Sequence, residues 1–421
     1  MPRKPLFVLL ACLLVATIGF GITLPVLPFY TERIALRRVG PGWWGSVVVQ
    51  VGLLTAVYPF LQLLVAPVWG RLSDTVGRRR ILLIGVAGAA GSYVLFALAT
   101  SLVMLYVARA VGGLLSSALF PAAAAYIADS TTKEDRSRGM AWLGTASSLG
   151  AVLGPALGGA LARSGWQFRG AGGAVLVSSF AVPFLAAAGL AVAAFVSALV
   201  WLPESHARGA AALAGEQRAI ISSRIKPLAP ERRILRALLA LSLSGQFGLA
   251  LFEATFALYA KDMWRYGPPQ VGAVFVVCGI VMSLAQLGVA SRFAKRIGEL
   301  SQIAAGFILL GVSLGALELV RGVGVFVTIA FLAFGVALIG PNVAALISIR
   351  AESRTGAALG VQSTANGVGQ TLGTILGGAL FAWQMHAPFV VASVTLLAIA
   401  GVVIWWAHRS TTREAAVASM R

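Results

Sequence analysis

The stretch LLVAPVW-GRLSDTVGRRR-ILLIGVAGAAG (Leu63–Gly91) places two apolar blocks around eleven residues that hold one Asp and four Arg. Elsewhere charge is scarce: the 421 residues are 11% charged and 58% hydrophobic, with a mean hydropathy of +0.88. A soluble domain alternates apolar and polar positions, because one face of each element meets water. Here block after block is apolar on every side for about 20 residues, the length a helix needs to cross about 30 Å of hydrocarbon. The chain therefore reads as an all-α, multi-pass membrane protein, and the charged stretch as a hairpin between two of its spans.

Hydropathy predicts twelve spans, at about 6–29, 45–68, 81–99, 102–125, 140–162, 178–201, 237–260, 270–290, 301–319, 323–347, 357–381 and 387–407. The opening MPRKPLFVLLACLLVATIGF has the basic head and apolar core of a signal peptide. Its apolar run continues to Phe29 without a small-residue cleavage site, so it is expected to be the first span. An even number of spans puts both termini on one side. The termini and the loops sharing their side hold 24 of the 33 Lys and Arg, against eight on the other side and Arg109 within a span. Basic loops stay in the cytoplasm, which predicts a protein of the cell (inner) membrane with cytoplasmic termini. The longest polar segment, 202–236, divides the spans six and six. It reads as a cytoplasmic linker, with room for a short basic helix lying on an anionic leaflet. The expected bundles are 1–201 and 237–421.

Several function classes fall away. The net charge of +19 is scattered through short loops and makes no continuous nucleic-acid face. Cys12 and Cys278 lie in spans without metal or redox spacing. No Ser/His/Asp, Cys/His or metal-ligand cluster is present, and no G-x-x-x-x-G-K-[ST] phosphate loop. No enzyme, cofactor or metal is therefore expected. The expected partners are the lipid bilayer, a small-molecule substrate and protons, with the chain acting as a monomer.

The two halves repeat each other. LGTASSLGAVLGPALGGAL (Leu143–Leu161) aligns with VQSTANGVGQTLGTILGGAL (Val361–Leu380), so Gly150, Gly154, Gly158 and Gly159 fall on Gly369, Gly373, Gly377 and Gly378. Gly77 likewise corresponds to Gly298, and Pro121 to Pro341, at nearly the same offset. Two duplicated six-helix bundles related by an axis along the membrane normal are a transporter architecture, with the substrate site between the repeats near the midplane.

With these residues in view, the chain resembles the major facilitator superfamily. G-x-L-x-D-x-x-G-R-R-R after span 2 is similar to that family's loop motif. Gly150-x-x-x-Gly154-Pro155-x-x-Gly158-Gly159 resembles the span 5 motif of its proton-driven antiporters. LPVLPFY (Leu24–Tyr30) and LFEATFALYAKD (Leu251–Asp262) are similar to twelve-helix drug:proton antiporters of the bacterial multidrug exporter type. The resemblance implies a conformational latch at Gly70, Asp74, Gly77, Arg78 and Arg79, with the glycines turning the chain and Asp74 accepting hydrogen bonds at a helix N-terminus. The second half has Lys295 where Asp74 stands. The resemblance also implies a sealing motif at Gly150, Gly154, Pro155, Gly158 and Gly159. Two positions depart from it: Gly335 in span 10 stands where exporters of this type carry an acid, and Gly112 stands where the pattern has glutamine.

Ionisable residues within spans cost several kcal/mol unless paired or wet. The two clear cases are Arg109 in span 4 and Glu253 in span 7, both about 10 Å deep at 1.5 Å per residue. A carboxylate there can change protonation as a cavity alternates between wet and dry. Glu253 is the expected proton carrier and Arg109 its tuning partner. Gln50, Tyr58, Gln62, Gln246, Phe252, Phe256, Asn342, Gln362 and Asn366 are candidates for the substrate cavity, a mixture suited to amphiphilic drug-like molecules. The expected function is proton-coupled efflux of such molecules by alternating access. The alternative is a uniporter or proton symporter of a sugar, organic acid or other small metabolite.

Overall fold

The computed structural model describes residues 3–35, 46–131, 133–162, 168–169, 175–177, 179–204, 229–286, 298–351 and 355–418. Helices follow one another as α1 (Arg3–Ala35), α2 (Val47–Val76), α3 (Arg78–Ala97), α4 (Leu102–Leu115), α5 (Leu119–Ser130), α6 (Lys133–Leu161), α7 (Val182–Trp201), α8 (Ala229–Trp264), α9 (Pro268–Leu284), α10 (Glu299–Ala316), α11 (Val323–Ala351), α12 (Thr355–Trp383) and α13 (Ala387–Ala418). A 3₁₀ turn at Ser116–Ala118 joins α4 and α5 into a single rod. Every one of the twelve expected spans thus coincides with a helical rod.

Ten rods are long and apolar enough to cross a membrane. The short apolar α9 and the more polar α12, which carries Gln362, Thr364, Asn366 and Gln370, occupy the positions of spans 8 and 11. Strands among the described residues are limited to the antiparallel pair Phe168–Arg169 and Val175–Val177, between α6 and α7. Of the expected linker, residues 205–228 lie outside the described residues, as does Lys295. The basic surface helix expected in that linker falls largely on the same stretch.

The charged hairpin is shorter than hydropathy suggests. The apolar signal ends near residue 68 and resumes near 81, but α2 runs to Val76 and α3 begins at Arg78. A helix in water keeps its own hydrogen bonds, so it can leave the hydrocarbon without ending. The turn is left to Gly77, at φ 110° and ψ 146°, a backbone region essentially closed to side-chain-bearing residues. Its repeat partner Gly298 starts α10 at φ 76° and ψ 151°. Gly70 is not part of this turn. It sits inside α2, with no described residue within 4 Å of where a Cβ would be.

The chain divides into two compact units: Met1–Pro227 with Ala260–Val276, and Leu228–Tyr259 with Val277–Arg421. In the first unit α1 packs on α6 and α7, α3 on α7 and α4, and α2 on α4. The aromatic core stacks Phe96 on Phe184 at 4.7 Å between centroids, and the Tyr30 hydroxyl donates to the Ala99 carbonyl at 2.8 Å. In the second unit α10 packs on α11 and α13. Tyr259 there meets Phe389 edge-on at 4.7 Å.

Between helices in lipid there is no hydrophobic gain to drive association, so close backbone approach through small residues takes its place. Gly150, Gly154 and Gly158 lie against Thr17, Ile18, Gly21 and Ile22 of α1; a Cβ at Gly154 would stand 2.6 Å from the Ile18 carbonyl oxygen. The second unit repeats the device. Gly369, Gly373 and Gly377 lie against Leu243, Phe247, Ala250 and Leu251 of α8.

Candidate transport site

The sequence groups its functional candidates in four places, and the structure redistributes some of their roles. At the hairpin, Arg78 is buried and bridges three groups. Its Nη1 meets Asp74 Oδ1 at 2.5 Å and donates to Ser73 Oγ at 3.0 Å, while its Nε donates to Asp129 Oδ2 at 2.9 Å. Asp74 is thus joined within α2 and the start of α3. The carboxylate found at the N-terminus of α3 is instead Glu204, just past α7. It accepts from the Arg79 backbone N–H at 3.3 Å and lies where a Cβ of Gly77 would point. An anion is favoured there by the free N–H groups and the helix dipole. Arg79 Nη2 donates to the Leu199 carbonyl at 2.6 Å. Asp129 and Glu204 were not legible as partners, since each is an ordinary acid beside a polar loop.

The span 5 motif separates into two kinds of contact. Gly150, Gly154 and Gly158 pack on α1, which their counterparts in the second unit match. Gly159 points elsewhere: a Cβ there would lie 2.8 Å from the Pro268 carbonyl oxygen and 3.1 Å from Gly272 Cα. Gly272 in turn faces the Pro155 carbonyl, 2.7 Å from its own added Cβ. Nearby in chain order, Lys261 at the end of α8 forms an ion pair with Glu32 of α1.

Arg109 occupies a small chamber in the first unit. It is 3% exposed, its Nη2 donates to Thr23 Oγ1 at 3.3 Å, and its guanidinium lies 5.8 Å from the Phe96 ring centroid and 6.0 Å from that of Tyr58. The chamber, of about 10 Å³, is also walled by Ser92, Tyr93 and Ser116. That is room for about one water. Arg109 Nε has no hydrogen-bond partner among the described residues. The 3₁₀ turn lies on this wall. Ser116 Oγ donates to the Gly112 carbonyl at 2.5 Å and is within 3.2 Å of the Tyr58 hydroxyl. Trp69 Nε1 donates to the Leu114 carbonyl at 2.6 Å, which also accepts from Ser117 Oγ at 3.2 Å.

Glu253 lies on α8, partly buried between the fully buried Phe252 and Ala254 in sequence. Among the described residues no hydrogen bond or ion pair to it is found, and Cys278 of α9 lies within its electrostatic reach. Arg109 belongs to the first unit and Glu253 to the second. The polar and aromatic candidates divide. Tyr58 does line the Arg109 chamber, and Gln50 accepts from the Tyr106 hydroxyl at 2.8 Å. Gln62, Gln246 and Asn366 are partly buried.

Phe252 and Phe256 are fully buried, with their ring centroids 4.9 Å apart. Asn342 is buried in a bond to Gln302 at 3.0 Å, and Gln362 in one to Ser242 at 3.0 Å. These are interhelical ties, as polar groups in spans usually are. The two departures from the family pattern are both closely packed. A Cβ at Gly335 would stand 2.7 Å from the Gly306 carbonyl oxygen, and one at Gly112 would stand 2.9 Å from Ser92 Oγ. Neither position has room for a longer side chain.

A family model described as Major Facilitator Superfamily matches residues 9–348 and again 264–421. The chain is 26% identical to "Multidrug resistance protein 2" of Bacillus subtilis (strain 168), over 98% of both chains. It is 28% identical to "Quinolone resistance protein NorA" of Staphylococcus aureus (strain Mu50 / ATCC 700699), over 98% of this chain and 99% of that one. Among solved structures, the human organic anion transporter MFSD10 (TETRAN) superposes with a TM-score of 0.67 at 22% identity, covering 96% of this chain and all of the other. The peptide transporter POT in complex with sulfate gives 0.74 at 16% identity, covering 96% of this chain and 94% of the other. Both support the fold. A duplicated twelve-rod architecture and a family match along nearly its whole length lead to one conclusion: this multi-pass membrane protein is a transporter that belongs to the Major Facilitator Superfamily.

Proposed function

We propose that the chain exports amphiphilic, drug-like small molecules in exchange for protons. Similarity to two drug-resistance proteins along the full length supports the substrate class. The observation that carries the coupling is Glu253, a carboxylate within a membrane-spanning helix to which no hydrogen bond or ion pair is found among the described residues. Such a group is costly as a fixed charge in hydrocarbon. Without a fixed partner it is free to exchange a proton against a substrate as access alternates. Arg109 supplies the second ionisable group of the transport path.

In this reading the Arg78 cluster forms the latch on the side of the termini, which the Lys and Arg distribution assigns to the cytoplasm. Gly159, Pro155 and the Glu32–Lys261 pair make the seal on the opposite side. The transporter works as a monomer.

The test uses vesicles with an imposed pH gradient. An antiporter dissipates the gradient when a quinolone or a cationic dye moves against the proton flow. A uniporter leaves the gradient unchanged, and a symporter moves protons and substrate in the same direction. Either of those results would overturn the proposal.

A further inference from the structure

Two concavities meet on the outside of the first unit, beside the start of α1 and the end of α7. One, of about 630 Å³, is walled by Lys4, Pro5, Arg79, Leu202 and Pro203 together with Val200 and Trp201. The other, of about 570 Å³, is walled by Phe7, Val8, Ala11 and Ser197. Lys4 and Trp201 belong to both, so the two form one groove. Its character changes along α1. At the end of the helix it carries two cationic side chains, and one to two turns further in it is apolar.

Lys4 has no ion pair among the described residues. The Arg79 guanidinium donates from Nη2 to the Leu199 carbonyl at 2.6 Å, and Glu204 accepts from the Arg79 backbone N–H at 3.3 Å. Phe7 is 74% exposed and Trp201 57% exposed, on the surface of two helices that span the membrane. Trp is the residue that sits best at the headgroup level, with its ring in the apolar zone and its N–H toward water.

We infer that this groove is a binding site for an anionic phospholipid of the leaflet on the side of the chain's termini. The phosphate rests between Lys4 and Arg79, and one acyl chain lies along Phe7, Ala11 and Ser197. The order of the lining, cations first and apolar side chains deeper, is the order of a lipid's own parts. A zwitterionic lipid of the same chain length fits the apolar part but brings its own cation to Lys4 and Arg79. The preference is therefore for negative headgroups. The site shares Arg79 with the expected latch residues, but the lipid retention that tests it is read without any transport.

The experiment is native mass spectrometry of the full-length protein released from mixed vesicles of phosphatidylglycerol and phosphatidylcholine with identical acyl chains. Wild type is expected to retain one phosphatidylglycerol more than Lys4→Glu, whose occupancy falls about fivefold or more. Ala11→Phe, which fills the apolar part and leaves both cations in place, is expected to lose the same lipid. Retention of phosphatidylglycerol by both variants at the wild-type level overturns the site. So does equal retention of phosphatidylcholine by wild type. Loss in Lys4→Glu alone overturns it as well, because it shows attraction to a charged surface without a groove.

Discussion

In the first half Gly150, Gly154 and Gly158 press α6 onto the backbone of α1. In the second half Gly369, Gly373 and Gly377 press α12 onto α8. Gly77 and Gly298 likewise open α3 and α10 with the same unusual backbone. The scaffold is thus used twice, while the ionisable chemistry is not. The first half holds a cation, Arg109, in a chamber of hydroxyls and rings. The second half holds an acid, Glu253, with no such polar surround among the described residues. The difference teaches that duplication preserved how helices approach one another and left each half free to carry its own charge.

The comparison can be broken most forcefully at Gly335. If its glycine serves close packing of α11 on α10, Gly335→Asp introduces both a clash and a charge. It should cost about 4 kcal/mol or more, seen as loss of monodisperse protein in detergent. Normal yield and melting would show that the missing second acid is a matter of function alone.

Next come the stripes. Gly154→Ala meets backbone of α1, which cannot turn aside, and should cost about 2–3 kcal/mol in thermal melting. Gly377→Ala would find its nearest atoms, the Leu251 and Thr255 side chains, 3.3 Å away. It should cost less than about 1 kcal/mol. Equal losses would mean that the approach to the facing helix's backbone does not set the cost of filling these stripes.

The turn glycines give a smaller contrast. Gly77→Ala should cost about 2 kcal/mol, since it adds a collision with Glu204 to the backbone strain. Gly298→Ala meets no described residue within 4 Å and should cost about 1 kcal/mol from strain. Melting curves of the two variants side by side check the ordering.

These cases also show why the sequence was readable where it was. A helix crossing lipid must be apolar all round and keep its hydrogen bonds internal, so the rods stood out. Gly77 and Gly298 could be paired because the positive-φ backbone that opens each of their helices tolerates little else. Arg109 and Glu253 stood out because a charge within a span is rare. The rest of the Arg109 chamber was hidden. Hydroxyls are cheap in a membrane helix, where they bond to their own backbone, as Thr17 does to the Leu13 and Leu14 carbonyls. Nothing therefore marked Thr23, Ser92 or Ser116 as different from Thr17. Phe252 and Phe256 could not be placed from sequence for the opposite reason: an aromatic ring suits a cavity wall and a packed core equally well. The hairpin misled because hydropathy reports where hydrocarbon ends, and α2 continues past that point.

Glu253→Gln is the smallest change of all and should alter melting by no more than about 0.5 kcal/mol. It is also the most direct test of the proposed coupling, measured in vesicles as gradient-driven uphill accumulation beside equilibrium binding of the same dye. The account predicts that uphill transport falls at least about tenfold while binding stays within about threefold. Uphill transport by Glu253→Gln at the wild-type rate would contradict it.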